Sequence, residues 1–365
     1  MQQQQGSKDL ENGLDFADMG NFEEALKHFD KAIAAKPDDA DAYFHKGRAL
    51  DSLDRYEEAI ECYDKVISLK PENLAAAYVN KGASFTSLER YQEAVDAYDK
   101  AIEINPKDVE AHFSKGAALD NLGKHNEAIE WFDKTIAIEP ENADAYTNKG
   151  LALEHLEQFD KAIECYDKAI SLEEKDPLPH VNKGVALHHL GKYDEAIECY
   201  NKAISIDSHD ADAYNNKGNA LLCVGKYKEA VEAFEVAFNH NPENSLYSCN
   251  LARTYQSLDK PKDAMKYYKL AQDHLEGSKE FLLSPTIHNL ENIIKKIIDL
   301  ENVVESTEKV LGEKDKNFED SFKKLQAEKQ KLINSLNLEK ATPAVAELDK
   351  LKEEFQKNLT SYQQS

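Results

Sequence analysis

The chain has 365 residues, 41% hydrophobic and 31% charged, with a formal net charge of −24. That size and balance suit a globular or repeat protein with an extensive core, and so acidic a chain repels phosphate backbones, which argues against nucleic-acid binding. Its 14 Gly and 10 Pro are few for an all-β protein, and no stretch reaches the roughly 18 to 20 continuous apolar residues of a membrane span.

Residues 1–7 (MQQQQGS) lack an apolar signal core and read as a short disordered tail. With nothing directing secretion, the cytoplasm is the default location. The five cysteines, an odd number, argue against a disulfide framework. Three recur in one word, at Cys62, Cys165 and Cys199, while Ala97, Trp131 and Ala233 fill the same place elsewhere. A place that accepts Cys, Ala or Trp is read as packing.

From residue 8 to 276 the chain repeats itself. Glycines stand at 13, 47, 82, 116, 150, 184 and 218, and Ala252 continues the series; every step is 34 except one of 35. A parallel alanine follows twelve residues after each. Each copy holds two segments with apolar residues at threes and fours, the period of an amphipathic helix. In the second copy these predict helices over about 41–53 and 56–69. The turn between them carries Gly20, Gly123, Gly191 and Gly225 in four copies, and Asp or Glu in the others. Pro37, Pro71, Pro106, Pro140 and Pro242 are expected to stop the second helix. Gly47 and Ala59 are expected to face each other where the helices approach, with Tyr63 filling the gap to the next copy. Two helices alone cannot bury both faces, so eight copies must stack into a solenoid.

The copies resemble the tetratricopeptide repeat family. Around Gly47 the family's places are filled by Tyr43, Leu50, Ala59, Tyr63, Val66 and Pro71; around Gly82, by Tyr78, Phe85, Ala94, Tyr98, Ala101 and Pro106. One departure is systematic. Where the family has Leu before the Gly, this chain has Lys46, Lys81, Lys115, Lys149, Lys183 and Lys217. A Lys stem can lie over apolar surface with its amine in water, which is the expectation here.

The resemblance implies an all-α, right-handed superhelical solenoid of eight helix-turn-helix repeats, whose first helices line a concave groove. It also implies a non-catalytic interaction scaffold, or adaptor, that binds an extended peptide. On the groove face an amide recurs two residues before the Gly place: Asn80, Asn148, Asn182, Asn216 and Asn250, with His45 and Ser114 in its place in two copies. An amide offers donors and an acceptor to a peptide backbone. The row resembles the asparagine ladder of O-linked N-acetylglucosamine transferases and kinesin light chains. The structural alternative is that these amides bond locally between helices. Phe44, Val79, Phe113 and Val181 are expected to add apolar contacts, and Arg48 and Arg253 to be the groove cations from the second copy onward. With Asp41, Glu110 and Asp212 beside them, the groove suits a neutral or basic segment. No Lys stands at the places that chaperone-tail-binding members use to clamp a carboxylate. The other functional class is a structural component of an assembly, packed against fixed neighbours.

His155, His189 and Cys223 fall five residues after the Gly place in successive copies. Neighbouring first helices are about 10 Å apart, whereas zinc needs ligands at about 2.0–2.3 Å. No metal site, cofactor or enzymatic motif is therefore expected.

Residues 277–365 read as a helical bundle or coiled coil. Leu290, Ile293, Ile297, Leu300, Val304 and Leu311 form one seam at three-four spacing, and two more follow, separated by Gly312 and Pro343. Self-association through 285–362 is one way to cover them.

Overall fold

A computed structural model describes residues 2–69, 74–258 and 260–276. The tail, with its three seams, lies outside the described residues. Sixteen α-helices run in order among the described residues: α1 Gln2–Asp18, α2 Phe22–Ala35, α3 Ala40–Asp51, α4 Tyr56–Leu69, α5 Leu74–Ser87, α6 Tyr91–Ile104, α7 Val109–Asn121, α8 His125–Ile138, α9 Ala143–His155, α10 Phe159–Leu172, α11 Pro177–His189, α12 Tyr193–Ile206, α13 Ala211–Cys223, α14 Tyr227–His240, α15 Ser245–Ser257 and α16 Pro261–Glu276. No strand occurs among them. In chain order they make eight helix-turn-helix repeats. Two compact units divide at Leu190 and Gly191, between α11 and α12. Within each unit a second helix packs on the first helix of the next repeat, and successive first helices also touch. This is the stacking that an isolated pair of helices needs to cover its second face.

The residues read as a tail belong to α1, which begins at Gln2. Gln is a good helix former. Gly6 is buried against α2, where a Cβ would lie 3.0 Å from Ala35 Cβ.

The first helices are started by side chains at one phase of the repeat. Asp108, Asn142 and Asp210 accept from the backbone N–H three residues on, at 3.1, 2.8 and 2.9 Å. Asp176 and Asn244 accept two residues on, each at 3.0 Å. Such caps satisfy N–H groups that a helix start leaves unpaired. The second helices end at one phase whether or not a proline follows. α10 and α12 stop at Leu172 and Ile206, in phase with α6 and α8, although Glu174 and Ser208 stand at the Pro place. A non-helical cap residue ends each of them, and its N–H still bonds back to the carbonyl four residues earlier. Proline is therefore not what stops them. The inter-helix turn needs a left-handed residue, supplied by Gly20, Gly123, Gly191 and Gly225 at φ 73–78° and by Asp54, Glu89 and Glu157 at φ 57°.

The conserved-phase glycines make room for an aromatic ring of their own repeat. A Cβ on Gly47 would lie 2.7 Å from Tyr63 Cε1; on Gly150, 2.4 Å from Tyr166 Cε1; on Gly218, 2.6 Å from Phe234 Cε1. The ring, not the alanine twelve residues on, is what the glycine accommodates, so Tyr63 packs inward rather than only filling the gap to the next copy. Tyr63, Tyr166, Tyr200, Phe29, Phe132 and Phe234 are the largest fully buried side chains. Cys62 and Cys165 are buried and free, and burial pushes the Cys62 thiol up to about 11, so both act as apolar filling.

The recurring lysines do more than lie over apolar surface. Five of the six each reach an Asp on the second helix of the preceding repeat: Lys46 to Asp30 at 2.6 Å, Lys81 to Asp64 at 2.5 Å, Lys149 to Asp133 at 2.6 Å, Lys183 to Asp167 at 2.5 Å, and Lys115 to Asp99. The amine is thus held in an inter-repeat ladder instead of standing in water alone. Lys115 is itself buried, with its ammonium 3.8 Å from the Trp131 ring centre and Lys134 at 3.4 Å from the same ring. Trp131, at the Cys/Ala place, is thereby half-buried between two ammonium groups. In the sixth repeat Asn201 stands where the ladder has Asp.

Candidate ligand-binding face

The exposed strip of each first helix comprises the residues six before, one after and five after the Gly place. Asp41, Glu110, Asp144, Asp212, Leu178 and Leu246 are exposed at the first of these, Arg48 and Arg253 at the second, and Asn121, His155 and His189 at the third. The spacing of seven and four residues is one helical stripe. Its charge is mainly negative, relieved by Arg48 and Arg253. Asp212 is not wholly free for a ligand, because Tyr247 Oη donates to its Oδ1 at 2.6 Å.

The residues three before the Gly place point inward. Val79 and Val181 are buried, and Phe44 and Phe113 are half-buried. Phe44 packs edge-on against Tyr63 with ring centres 6.0 Å apart, and Phe113 packs 5.8 Å from Phe132. The four therefore close the core under the strip, and the expected apolar contacts to a ligand shrink to the partly exposed rims of Phe44 and Phe113. The reason is angular. At about 100° per residue, three before the Gly place lies about 60° from the Gly place itself, on the side that meets the second helix of the same repeat.

The recurring amides do not all do one thing. Asn80 Nδ2 donates to the Ala76 carbonyl at 2.9 Å and Asn148 Nδ2 to the Asp144 carbonyl at 2.9 Å, each one turn back in its own helix. Both keep Oδ1 available. Asn182 differs: its Nδ2 is buried with no partner. Asn216 is half-buried. Asn250 is 6% exposed and donates to Asn215 Oδ1 at 2.7 Å, so it is a buried inter-repeat contact. The sequence gives no sign of this pairing beyond the amide at 215, a place where the other copies from the second onward have Phe, Val, Thr or Cys. His45, at the same place in the second copy, is half-buried, and burial with Arg48 nearby holds its imidazole below the usual range.

Four residues after the Gly place, a polar side chain turns in to the buried tyrosine instead of out to the strip. Tyr63 Oη donates to Asp51 at 2.6 Å, Tyr268 Oη to Gln256 at 3.1 Å, and Thr86 lies 3.3 Å from Tyr98 Oη. Where the aromatic is Phe234, the partner place is the apolar Leu222. Glu154 and Tyr166 break this pattern: Glu154 Oε1 and Tyr166 Oη are both buried without a hydrogen-bond partner. Burial raises the Glu154 carboxyl to about 7.

His155 and His189 are exposed at the end of the strip, and each stacks on the first residue of a second helix. His189 stacks on Phe159, with ring centres 4.9 Å apart, and His155 stacks on His125 at 4.6 Å. No helix among the described residues is long and apolar enough to cross a membrane.

Family models described as tetratricopeptide repeat or TPR repeat match residues 10–73, 75–108, 97–130, 121–157, 143–176, 165–198, 186–222, 211–244 and 247–273. A tetratricopeptide repeat protein from Parabacteroides merdae ATCC 43184 is similar at 18% identity and TM-score 0.50, over 80% of this chain and 99% of its own. The Cut9–Hcn1 hetero-tetramer of the APC/C is similar at 16% identity and TM-score 0.53, over 75% of this chain and 52% of that one. These two likenesses concern the fold alone. The MamA structure is 31% identical over 45% of this chain and 95% of its own, at TM-score 0.43. A search of curated proteins gives no significant match. With matches running from residue 10 to 273 broken only at 74, 245 and 246, and with the paired helices in phase, the chain belongs to the tetratricopeptide repeat family.

Proposed function

We propose that the chain is a non-catalytic adaptor that holds an extended, neutral or basic segment of a partner protein along the exposed strip of its first helices. The family is one of protein–protein interaction scaffolds, and eight of its repeats are present here. The observation that carries the reading is Asn182, whose Nδ2 is buried with no acceptor in the protein. Leaving such a donor unpaired costs about 1–3 kcal/mol, and a backbone carbonyl of a bound segment would remove that cost. The half-buried Asn148 and Asn80, each with a spare Oδ1, sit at the same place in other repeats of that unit and could accept from ligand N–H groups. The exposed Asp41, Glu110 and Asp144 bias the strip toward basic ligands.

A structural role for the amides has its own support: Asn80 and Asn148 bond within their helices, and Asn250 bonds to Asn215. The two readings separate in one experiment. The full chain is panned against a displayed library of random linear peptides, and enriched sequences are measured by fluorescence anisotropy on the parent and on an Asn148→Ala/Asn182→Ala variant. The adaptor reading expects neutral or basic peptides whose affinity falls at least about tenfold in the variant, with an unchanged melting temperature. Failure to enrich any peptide, or equal binding by the variant, overturns it.

A further inference from the structure

We propose that Asp120, His125 and His155 form a binding site for a divalent transition-metal ion of the zinc class. The three residues come from three elements of two adjacent repeats: Asp120 near the end of α7, His125 at the start of α8 and His155 at the end of α9. One ligand-capable atom of each lies within 4.8 Å of the other two. His125 Nδ1 is 2.7 Å from Asp120 Oδ1, and His155 Nε2 is 3.8 Å from Asp120 Oδ2. The two imidazoles stack with ring centres 4.6 Å apart and planes 23° from parallel.

Three separate departures from the repeat pattern converge here. At the Asp120 place, Asp51, Thr86 and Gln256 each meet a tyrosine hydroxyl; the fourth repeat has Phe132, which has none. Asp120 is thereby released and turns to the imidazoles. At the His125 place the other repeats of this unit have Phe22, Tyr56, Tyr91 and Phe159, none of which carries a ring nitrogen; Tyr56 Oη donates instead to Asp54 of its own turn at 2.6 Å. The residue facing that slot from the next repeat is His155, whereas one repeat later His189 stacks on the Phe159 ring and lies edge-on to His188. No single substitution would assemble the set.

The donor set selects the ion. Two imidazole nitrogens and one carboxylate oxygen suit zinc, nickel and copper, whereas magnesium and calcium take oxygen ligands. Ligand atoms around a zinc ion at bonds of about 2.0–2.2 Å are roughly 3.3–3.6 Å apart. Rotation of the exposed His155 and a small opening of the His125–Asp120 contact reach that spacing. On binding, the proton that His125 Nδ1 shares with Asp120 moves to Nε2, and the Nδ1 lone pair takes the metal. Three protein ligands leave a coordination position for water or a partner's side chain, at the edge of the strip described above. The proposal does not depend on peptide binding.

The test uses the full chain without a histidine tag, freed of metal by dialysis against a chelator and titrated with Co²⁺ under visible absorption. One ion per chain is expected, with d–d bands of a four- or five-coordinate N/O site, displaced by Zn²⁺ but not by Mg²⁺. His155→Ala and His125→Ala should each weaken binding by at least about tenfold, the scale on which support of a metal site is felt, and Asp120→Asn should weaken it as well. His189→Ala should leave it unchanged. Absence of saturable binding, equal binding by a His125→Ala/His155→Ala variant, or a thiolate-to-cobalt charge-transfer band would each overturn the assignment.

Discussion

Gly150→Ala tests whether the repeat phase is set by ring accommodation. In an exposed helix interior this change is stabilising, because Ala is about 1 kcal/mol better than Gly. Here the new Cβ would lie 2.4, 2.8 and 2.9 Å from Tyr166 Cε1, Cζ and Cδ1. Carbon atoms pack at about 3.5–4.0 Å, so ring and helix must separate by roughly 1 Å. Tyr166 is fully buried, packed with Leu153, Ala162, Cys165 and Ala186, and has nowhere to go. Overpacking of this kind costs about 1–3 kcal/mol, and a clash this close belongs at the upper end. Subtracting the propensity gain leaves a net loss of about 2 kcal/mol. Because repeats unfold in neighbouring groups, the loss should appear as faster amide exchange in α9 and α10 as well as a lower urea midpoint by circular dichroism. The reciprocal change at the natural alanine, Ala252→Gly, should cost only about 1 kcal/mol. A Gly150→Ala variant as stable as the parent would refute the reasoning.

Three further outcomes follow from particular contacts. Asn250→Ala strands Asn215 Oδ1 in a buried site and should cost about 1–3 kcal/mol, lowering the thermal midpoint; an unchanged midpoint would show the amide pair to be idle. Because burial raises Glu154 in the folded state to about 7, above its unfolded value, the folded chain holds a proton that the unfolded chain has released; this contribution is full below about pH 4.3 and is lost as pH rises through about 7. Glu154→Gln should therefore raise stability at about pH 8 relative to the parent by roughly 1 kcal/mol, discounted for the group's partial exposure, with the difference shrinking at about pH 5; equal differences at both would contradict the shift. Lys149→Met breaks one partly exposed rung to Asp133 and should cost at most about 1 kcal/mol, a loss that salt diminishes; a salt-independent loss would mean that the stem's packing and not the ion pair is what matters.

The second helix of the second repeat occupies Tyr56–Leu69, the span its apolar spacing predicts, and the turn phase was marked in sequence by Gly123 and its equivalents. The amide row was equally visible as a row. Its chemistry was not, because whether an Asn bonds to its own helix, a neighbour or nothing depends on distances of about 3 Å that no period encodes. The flanking valines were misjudged for a related reason. A stripe of threes and fours gives a helix face, but which flank of it meets the neighbouring helix depends on how the helices pack.

The sequence by itself determined the family, the eight-fold repetition, the approximate helix spans and the identity of the glycine and aromatic places, because these depend on periodicity and on steric rules local to one or two turns; the start of α1 at Gln2 and the stops of α10 and α12 without proline it did not. Only the tertiary structure decided that Lys46 and its equivalents pair with Asp across repeats, that Asn250 is buried on Asn215, and that Asp120, His125 and His155 converge. Those contacts join residues about one repeat or less apart in the chain but on different helices. Their formation depends on the rotation and spacing of packed helices, which the pattern along a single helix does not contain.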